Sequence, residues 1–179
     1  MDEDDTRRRL IRMLRSAYSG ELAAALAYRA HWRAVSNAAE RAAIARIERE
    51  EWTHRREVGV LLAGLGAKPV RLREIVMTIV GCFAGASCHV GSWILPMYFA
   101  GRLEHANIRE YQDGAEYARA LGLPDFERAL LAIAAVEREH EEFFLRTVAA
   151  HPWLPALQRV FSWGEPARAP NRTLGAPLG

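Results

Sequence analysis

Val136-Glu137-Arg138-Glu139-His140 has a counterpart 86 residues earlier in Glu51-Trp52-Thr53-His54. Both stretches contain Glu-x-x-His inside a segment patterned as an amphipathic helix. Three residues' separation puts a carboxylate and an imidazole on the same helix face, one turn apart. A single such pair is common. Two pairs, each preceded by another helix carrying an inward Glu, match the ligand set of a carboxylate-bridged two-metal site in a four-helix bundle.

The flanking residues support that bundle. Leu10, Leu14, Ala17, Glu21, Ala25 and Tyr28 recur at helical spacing, predicting a first helix from about Thr6 to Val35. A second, from about Ala38 to Leu65, carries Ile44, Ile47, Glu51, His54 and Val58, with Asn37 and Glu40 as a capping pair. Arg41, Arg46, Arg49, Arg55 and Arg56 fall mostly off that stripe and read as a solvated face. A fourth helix, about Ser92 to Leu121, carries Met97, Ala100, Glu104, Ile108 and Tyr111. A fifth, from about Pro124 to Ala150, carries Leu130, Ile133, Glu137, His140 and Phe144.

Aligned on their glutamates, the second and fifth stripes read Ile-Ile-Glu-His-Val and Leu-Ile-Glu-His-Phe. The first and fourth read Ala17-Glu21-Tyr28 and Ala100-Glu104-Tyr111. The chain is therefore a duplicated helical hairpin. Glu21 lies 16 residues before Asn37 and Glu51 lies 14 after it, which at about 1.5 Å per residue is roughly 24 and 21 Å from the turn. Glu104 and Glu137 lie 18 before and 15 after Gly122, or roughly 27 and 22 Å. All four carboxylates thus come level near mid-bundle.

At 179 residues, half of them hydrophobic and 26% charged, the chain reads as one globular domain. A net charge of +2 calls for no nucleic-acid partner. Met1-Asp2-Glu3-Asp4-Asp5 is acidic where a secretory n-region is basic, so a cytoplasmic protein is expected. Cys82 and Cys88 fall about 240° apart around a helix, too divergent for a joint metal site, and read as reduced buried thiols. From Ile75 to Gly101 there is no Asp, Glu, Lys or Arg. Gly81, Gly85, Gly91 and Pro96 divide that run into an apolar third helix of about residues 70–90 and the start of the fourth, not a transmembrane span. Residues 1–151 form the bundle, and 152–179 a short helix near Leu154–Trp163 with a Pro/Gly/Arg-rich tail. Trp153, Phe161 and Trp163 are expected to pack on the bundle, with a lipid interface as the alternative.

Four unpaired carboxylates in a core are untenable, since each buried ion costs several kcal/mol. Two divalent cations offset the charge, and a carboxylate-and-imidazole set suits iron or manganese. The expected arrangement is Glu21, Glu51 and His54 on one metal and Glu104, Glu137 and His140 on the other, bridged by Glu51 and Glu137. Glu50, Glu139, Glu141 and Glu142 point away by about 100° or more, and His31, His89, His105 and His151 fit no place in the set. Ala24, Ala25, Ala100, Ala134 and Ala135 either leave room beside the metals for a flat ligand or serve only as good helix formers.

The chain resembles the demethoxyubiquinone hydroxylases over about residues 10–150. The resemblance rests on Ser19-Gly20-Glu21, the two Glu-x-x-His motifs, Glu104 with Tyr111 seven residues on, and the glycine-rich apolar stretch Val80–Ala86. Glu110 stands where that family has His, and Ala17-Tyr18 where it has Asp-His. The resemblance implies an all-α, ferritin-like four-helix bundle of two duplicated hairpins, with an extra apolar crossover helix and a C-terminal short helix. It implies a di-iron monooxygenase of ubiquinone biosynthesis that uses dioxygen to hydroxylate a quinone-like hydrophobic molecule, with Tyr111 in a catalytic role. Two electrons then come from an external donor such as NADH. A peripheral position on the inner face of the membrane, through the third helix, and a homodimer are compatible with it. The alternatives are a rubrerythrin-like peroxidase, which lacks here a Cys-rich segment to deliver electrons, and a non-catalytic ferritin-like iron binder.

Overall fold

The computed structural model describes residues 2–164, and among these every regular element is helical. Four long helices carry the stripes: α1 (Glu3–Ala34), α2 (Ala38–Gly64), α4 (Ile94–Ala120) and α5 (Pro124–Val148). Between the hairpins lies α3 (Arg71–Ser87), and α6 (Leu154–Phe161) follows the last long helix. α1 pairs with α2 and α4 with α5, while α1–α4 and α2–α5 contacts close the four into a ring.

Helix ends follow local chemistry. α1 begins three residues before the expected Thr6 because the Asp2 side chain accepts from the Asp4 amide at 3.4 Å. Glu3, Asp4 and Asp5 then sit in the first turn, where the helix dipole favours acidic groups. Asn37 caps α2 as expected, accepting from the amides of Ala39 and Glu40 at 2.9 and 3.2 Å. Glu40 does not complete the capping box; its carboxylate instead accepts from Trp93 Nε1 at 2.9 Å. α2 and α4 end on Gly66 and Gly122, both at φ +66°. That left-handed conformation suits glycine and satisfies the last carbonyls in a Schellman turn.

The core falls into two apolar clusters. One joins Leu10 and Leu14 to Val58, Leu62, Tyr111, Ala118, Leu130 and Ile133. The other joins Tyr28 and Val35 to Ile44, Ile47, Ile94, Met97, Phe144 and Val148. Each draws on all four long helices, early residues of one against late residues of the next, so ring neighbours run antiparallel. The second cluster is capped by Trp163, which is buried and donates through Nε1 to Glu141 at 2.9 Å. Phe161 packs edge-on against Phe99, whereas Trp153 stays exposed. The tail from residue 165 onward lies outside the described residues.

α3 packs mainly on α1. A Cβ on Gly81 would lie 2.5 Å from the Ala23 carbonyl oxygen, and one on Gly85 would lie 2.7 Å from Ala30 Cβ. The two glycines therefore permit backbone-to-backbone approach, and they are the only buried residues of α3. Its outer face, including Leu72, Ile75, Ile79 and Phe83, is exposed. Cys82 lies on that exposed side and Cys88 is only half-buried, which corrects the expectation of two buried thiols. Arg55 also departs from the solvated face expected of it. It donates to the Tyr18 carbonyl at 2.6 Å, covers the Tyr18 ring at 3.8 Å and pairs with Glu74 of α3. No helix among the described residues is long and apolar enough to cross a membrane.

The glycine contact gives a direct check. Gly81→Ala should destabilise the protein by about 1–3 kcal/mol, the usual cost of overpacking, read as a lowered urea midpoint. Gly91→Ala, where the nearest atom would be 3.4 Å away, should change little.

Candidate metal centre

Between the two apolar clusters the four ring helices turn polar side chains inward. Glu21, Glu51, Glu104, Glu137 and His140 are almost wholly buried, and His54 nearly so. They fall into two groups, Glu21–Glu51–His54–Glu137 and Glu51–Glu104–Glu137–His140, in which one ligand atom per residue lies within 4.8 Å of the others. All six residues picked from the sequence are thus brought together, and Glu51 and Glu137 belong to both groups. Each group can hold a metal ion.

The distances show how the groups are assembled. His54 Nδ1 lies 2.9 Å from Glu137 Oε1. His140 Nδ1 lies 3.4 Å from Glu51 Oε1 and 3.6 Å from Glu137 Oε2. Despite this proximity, both Nδ1 atoms, both oxygens of Glu51, both of Glu137 and Glu21 Oε2 have no hydrogen-bond partner. A buried polar atom left unpaired costs about 1–3 kcal/mol, more when charged. Orphaned lone pairs converging on one place are the arrangement a pair of divalent cations satisfies. Oxygen and imidazole donors without thiolate favour iron or manganese over softer preferences. On donor chemistry and unpaired atoms alike, the residues fit such ions.

Two tyrosines lace the hairpins together. Tyr28 of α1 donates to Glu104 Oε1 of α4, and Tyr111 of α4 donates to Glu21 Oε1 of α1. Both occupy the position seven residues after a glutamate, so the repeat seen in sequence becomes a reciprocal crossing in space. Burial and the neighbouring carboxylates push both phenols well above their ordinary pKa, so both stay protonated donors. Tyr111, singled out from the sequence, therefore has an equivalent in Tyr28.

Three further groups at the site escaped sequence reasoning. Glu50 Oε2 lies 2.9 Å from His140 Nε2, on the side of the ring away from the cluster. Asn107 Nδ2 donates to Glu104 Oε2 at 3.2 Å. The sequence signal for Glu50 was its place beside Glu51, but its angle on α2 pointed away from the cluster, and only a long side chain reaching across to α5 makes the contact. The third is His31. It is buried, and its ring is stacked with Tyr28 and Phe144 at 6.4 and 6.5 Å. Burial pushes its pKa down to about 4, so the imidazole is neutral near pH 7. His105 instead pairs with Glu141 at 2.8 Å, and His151 lies against Trp93 with the rings tilted by 32°.

His31 and Tyr28 line a cavity of about 690 Å³ between α1, the end of α3 and the first half of α4. Ala24, Ala27, Ala100, Leu95, Phe99 and Leu103 are among its other walls. Of the alanines noted in sequence, Ala24 and Ala100 do leave room here. Ala25 and Ala134 are packed in the core and Ala135 faces outward, so these three open no space on a cavity. Comparison with family models, with curated proteins and with solved structures returns no match to this chain. The site therefore rests on its own geometry.

In the metal-free protein burial pushes Glu21, Glu51 and Glu104 above the ordinary carboxylate range. Burial acts the same way on Glu137, but His140 and His54 beside it outweigh that and hold it low; burial opposes His54 protonation, yet Glu137 beside it raises its pKa. Groups with raised folded-state pKa bind more protons folded than unfolded, so their stabilisation is lost as pH rises. Glu137 contributes oppositely, losing its stabilisation only as pH falls below the ordinary carboxylate range. With chelator present, the melting temperature should therefore fall between pH 5 and pH 8. Adding manganese at about 100 times its Kd at pH 7.5 should restore about 2.7 kcal/mol, or several degrees. Melting curves flat in pH and unmoved by metal would contradict the site.

Proposed function

We propose that this chain is a di-iron monooxygenase that hydroxylates a quinone-like hydrophobic aromatic molecule. The observation that carries the reading is the meeting of two features. A buried ligand cluster with two shared carboxylates lies directly behind Tyr28, and Tyr28 is also the inner wall of a mainly apolar cavity. Glu21, Glu51 and His54 would hold one iron and Glu104, Glu137 and His140 the other, with manganese as the competing metal. The metals would supply the activation of dioxygen.

The overall reaction takes the substrate C–H bond, dioxygen, two electrons and two protons to the hydroxylated product and water. The electrons come from a reduced nicotinamide, directly or through the quinol form of the ligand. The chain's own residues do the remaining work. Ala24 and Ala100 leave space for a flat ring, Phe99 and Leu103 exclude water, and Tyr28 holds a proton beside Glu104 at the cavity's end. Neutral His31 offers a hydrogen bond to a ring oxygen in otherwise apolar surroundings. The exposed apolar face of α3 supports delivery of the ligand from a membrane surface, with the cavity opening beside the end of that helix. The same cavity disfavours a storage role, which has no use for an apolar pocket beside the metals.

The test loads the full chain with ferrous iron and supplies ¹⁸O₂, a reductant and a hydrophobic methoxyquinone lacking one ring hydroxyl. Mass spectrometry should find one heavy oxygen in the product. Filling the cavity with Ala100→Leu, which adds three carbons, should lower turnover by at least the roughly 10- to 200-fold of a single misplaced methylene, with iron content unchanged. Glu137→Ala should lose iron and activity together. Iron binding with only peroxide consumption would favour the peroxidase reading instead. In the metal-free protein, His31→Phe should abolish the preference for menadione over 2-methylnaphthalene in a fluorescence-quenching titration.

A further inference from the structure

The duplicated hairpins allow residue-by-residue comparison of the two halves of the cluster, and they are not equal. We infer that the metal position built on Glu104 and His140 binds its ion more tightly and fills first, leaving the Glu21–His54 position as the weaker and more labile one. The inference rests on the reading of the cluster as a two-metal site.

The outer face of His140 is braced. Its Nε2 lies 2.9 Å from Glu50 Oε2, while Glu50 Oε1 accepts from Arg46 Nη1 at 3.2 Å. A carboxylate on Nε2 keeps the ring proton there and leaves the Nδ1 lone pair facing Glu51 and Glu137, where an ion would sit. Glu50 immediately precedes Glu51 on α2. The matching position on α5, immediately before Glu137, is Val136. His54 therefore has no corresponding carboxylate, and among the described residues no acidic group pairs with its Nε2. Its proton is free to sit on the nitrogen that a metal needs.

The second comparison points the same way. Glu104 Oε1 accepts from Tyr28, and its Oε2 accepts from Asn107, three residues further along α4. Glu21 Oε1 accepts from Tyr111, but three residues further along α1 stands Ala24, and Glu21 Oε2 has no partner. The tyrosines are symmetric across the repeat. The braces on the terminal carboxylate and on the imidazole both fall on the same half. Outer partners of this kind are worth about 10- to 100-fold in metal affinity. Glu50 is thus a positioning residue, acting on the metal only through His140.

Anaerobic titration of the metal-free full chain with manganese(II), counting free ion by electron paramagnetic resonance, tests this without reference to catalysis. Wild type should bind two ions in separate steps, the first about 10- to 100-fold tighter. Anomalous scattering from crystals grown with one equivalent should place that ion between Glu104 and His140. Glu50→Gln should weaken the first step toward the second while leaving two ions bound and the helical circular dichroism unchanged. Val136→Glu should tighten the second step and merge the two. Two equal steps in wild type, or first occupancy at Glu21 and His54, overturns the inference while the metal reading stands. A Glu50→Gln protein with unaltered steps also overturns it. Absence of any manganese or iron binding by the folded chain overturns the metal reading and this inference with it.

Discussion

Glu21, Glu51, Glu104 and Glu137 meet inside the protein with two imidazoles and two phenols around them, and among the described residues no Lys or Arg side chain pairs with these carboxylates. Each carboxylate taken from water costs several kcal/mol unless it is neutralised or paired. The ring of four helices has to meet that cost at one level, so nearly everything else serves it. Apolar clusters close both ends, which keeps water out and fixes the height of each glutamate. The crossed tyrosines then tie each hairpin to a carboxylate of the other.

Much of this was legible in sequence because it depends on periodicity. An inward stripe has to carry its glutamate at a helical multiple from its apolar neighbours, and the turns at Asn37 and Gly122 set the level by counting. Those rules located all six cluster residues and the helix boundaries to within a few residues. They failed where a long side chain crosses between helices. Glu50 lies off the α2 stripe by angle, yet its carboxylate reaches His140 on α5. Arg55 was counted with the solvated arginines, although it reaches Tyr18 and Glu74. Periodicity likewise gave no address for α3. Burial was expected of its cysteines, but Gly81 and Gly85 put its narrow face against α1 and turned the larger side chains, with Cys82, outward.

α3 is also where the repeat stops being symmetric. It joins the hairpins and lies mainly over α1, so α1 and α4 no longer have equivalent surroundings. The gap between α1, the end of α3 and the early part of α4 becomes the cavity. The same stretch supplies Gly91 in the break between the helices and Pro96 in the first turn of α4. His31 sits at that gap with no counterpart on α4, ten residues after Glu21 where the other half has Gly114 after Glu104. A buried imidazole there does nothing for the carboxylate cluster and adds little to packing that a phenyl ring would not. Its worth lies in polarity offered to whatever enters the cavity.

The two departures from symmetry converge on one residue. Ala24 occupies the position where the other half has Asn107, and it is a wall of the cavity. An asparagine there would have the same reach toward Glu21 that Asn107 has toward Glu104, but it would also put a polar amide into the space beside Tyr28. Room for an apolar ring and a brace for Glu21 are mutually exclusive at that position. Ala100, four residues before Glu104, opens the α4 side of the cavity without removing a brace, whereas Ala24 opens the α1 side and leaves Glu21 Oε2 without a partner. On the proposed reading, the more weakly held metal is not a flaw of an imperfect duplication. It is the consequence of opening one side of a closed bundle to a hydrophobic molecule, and a more closely symmetric repeat would bind both ions well with less space for the ring.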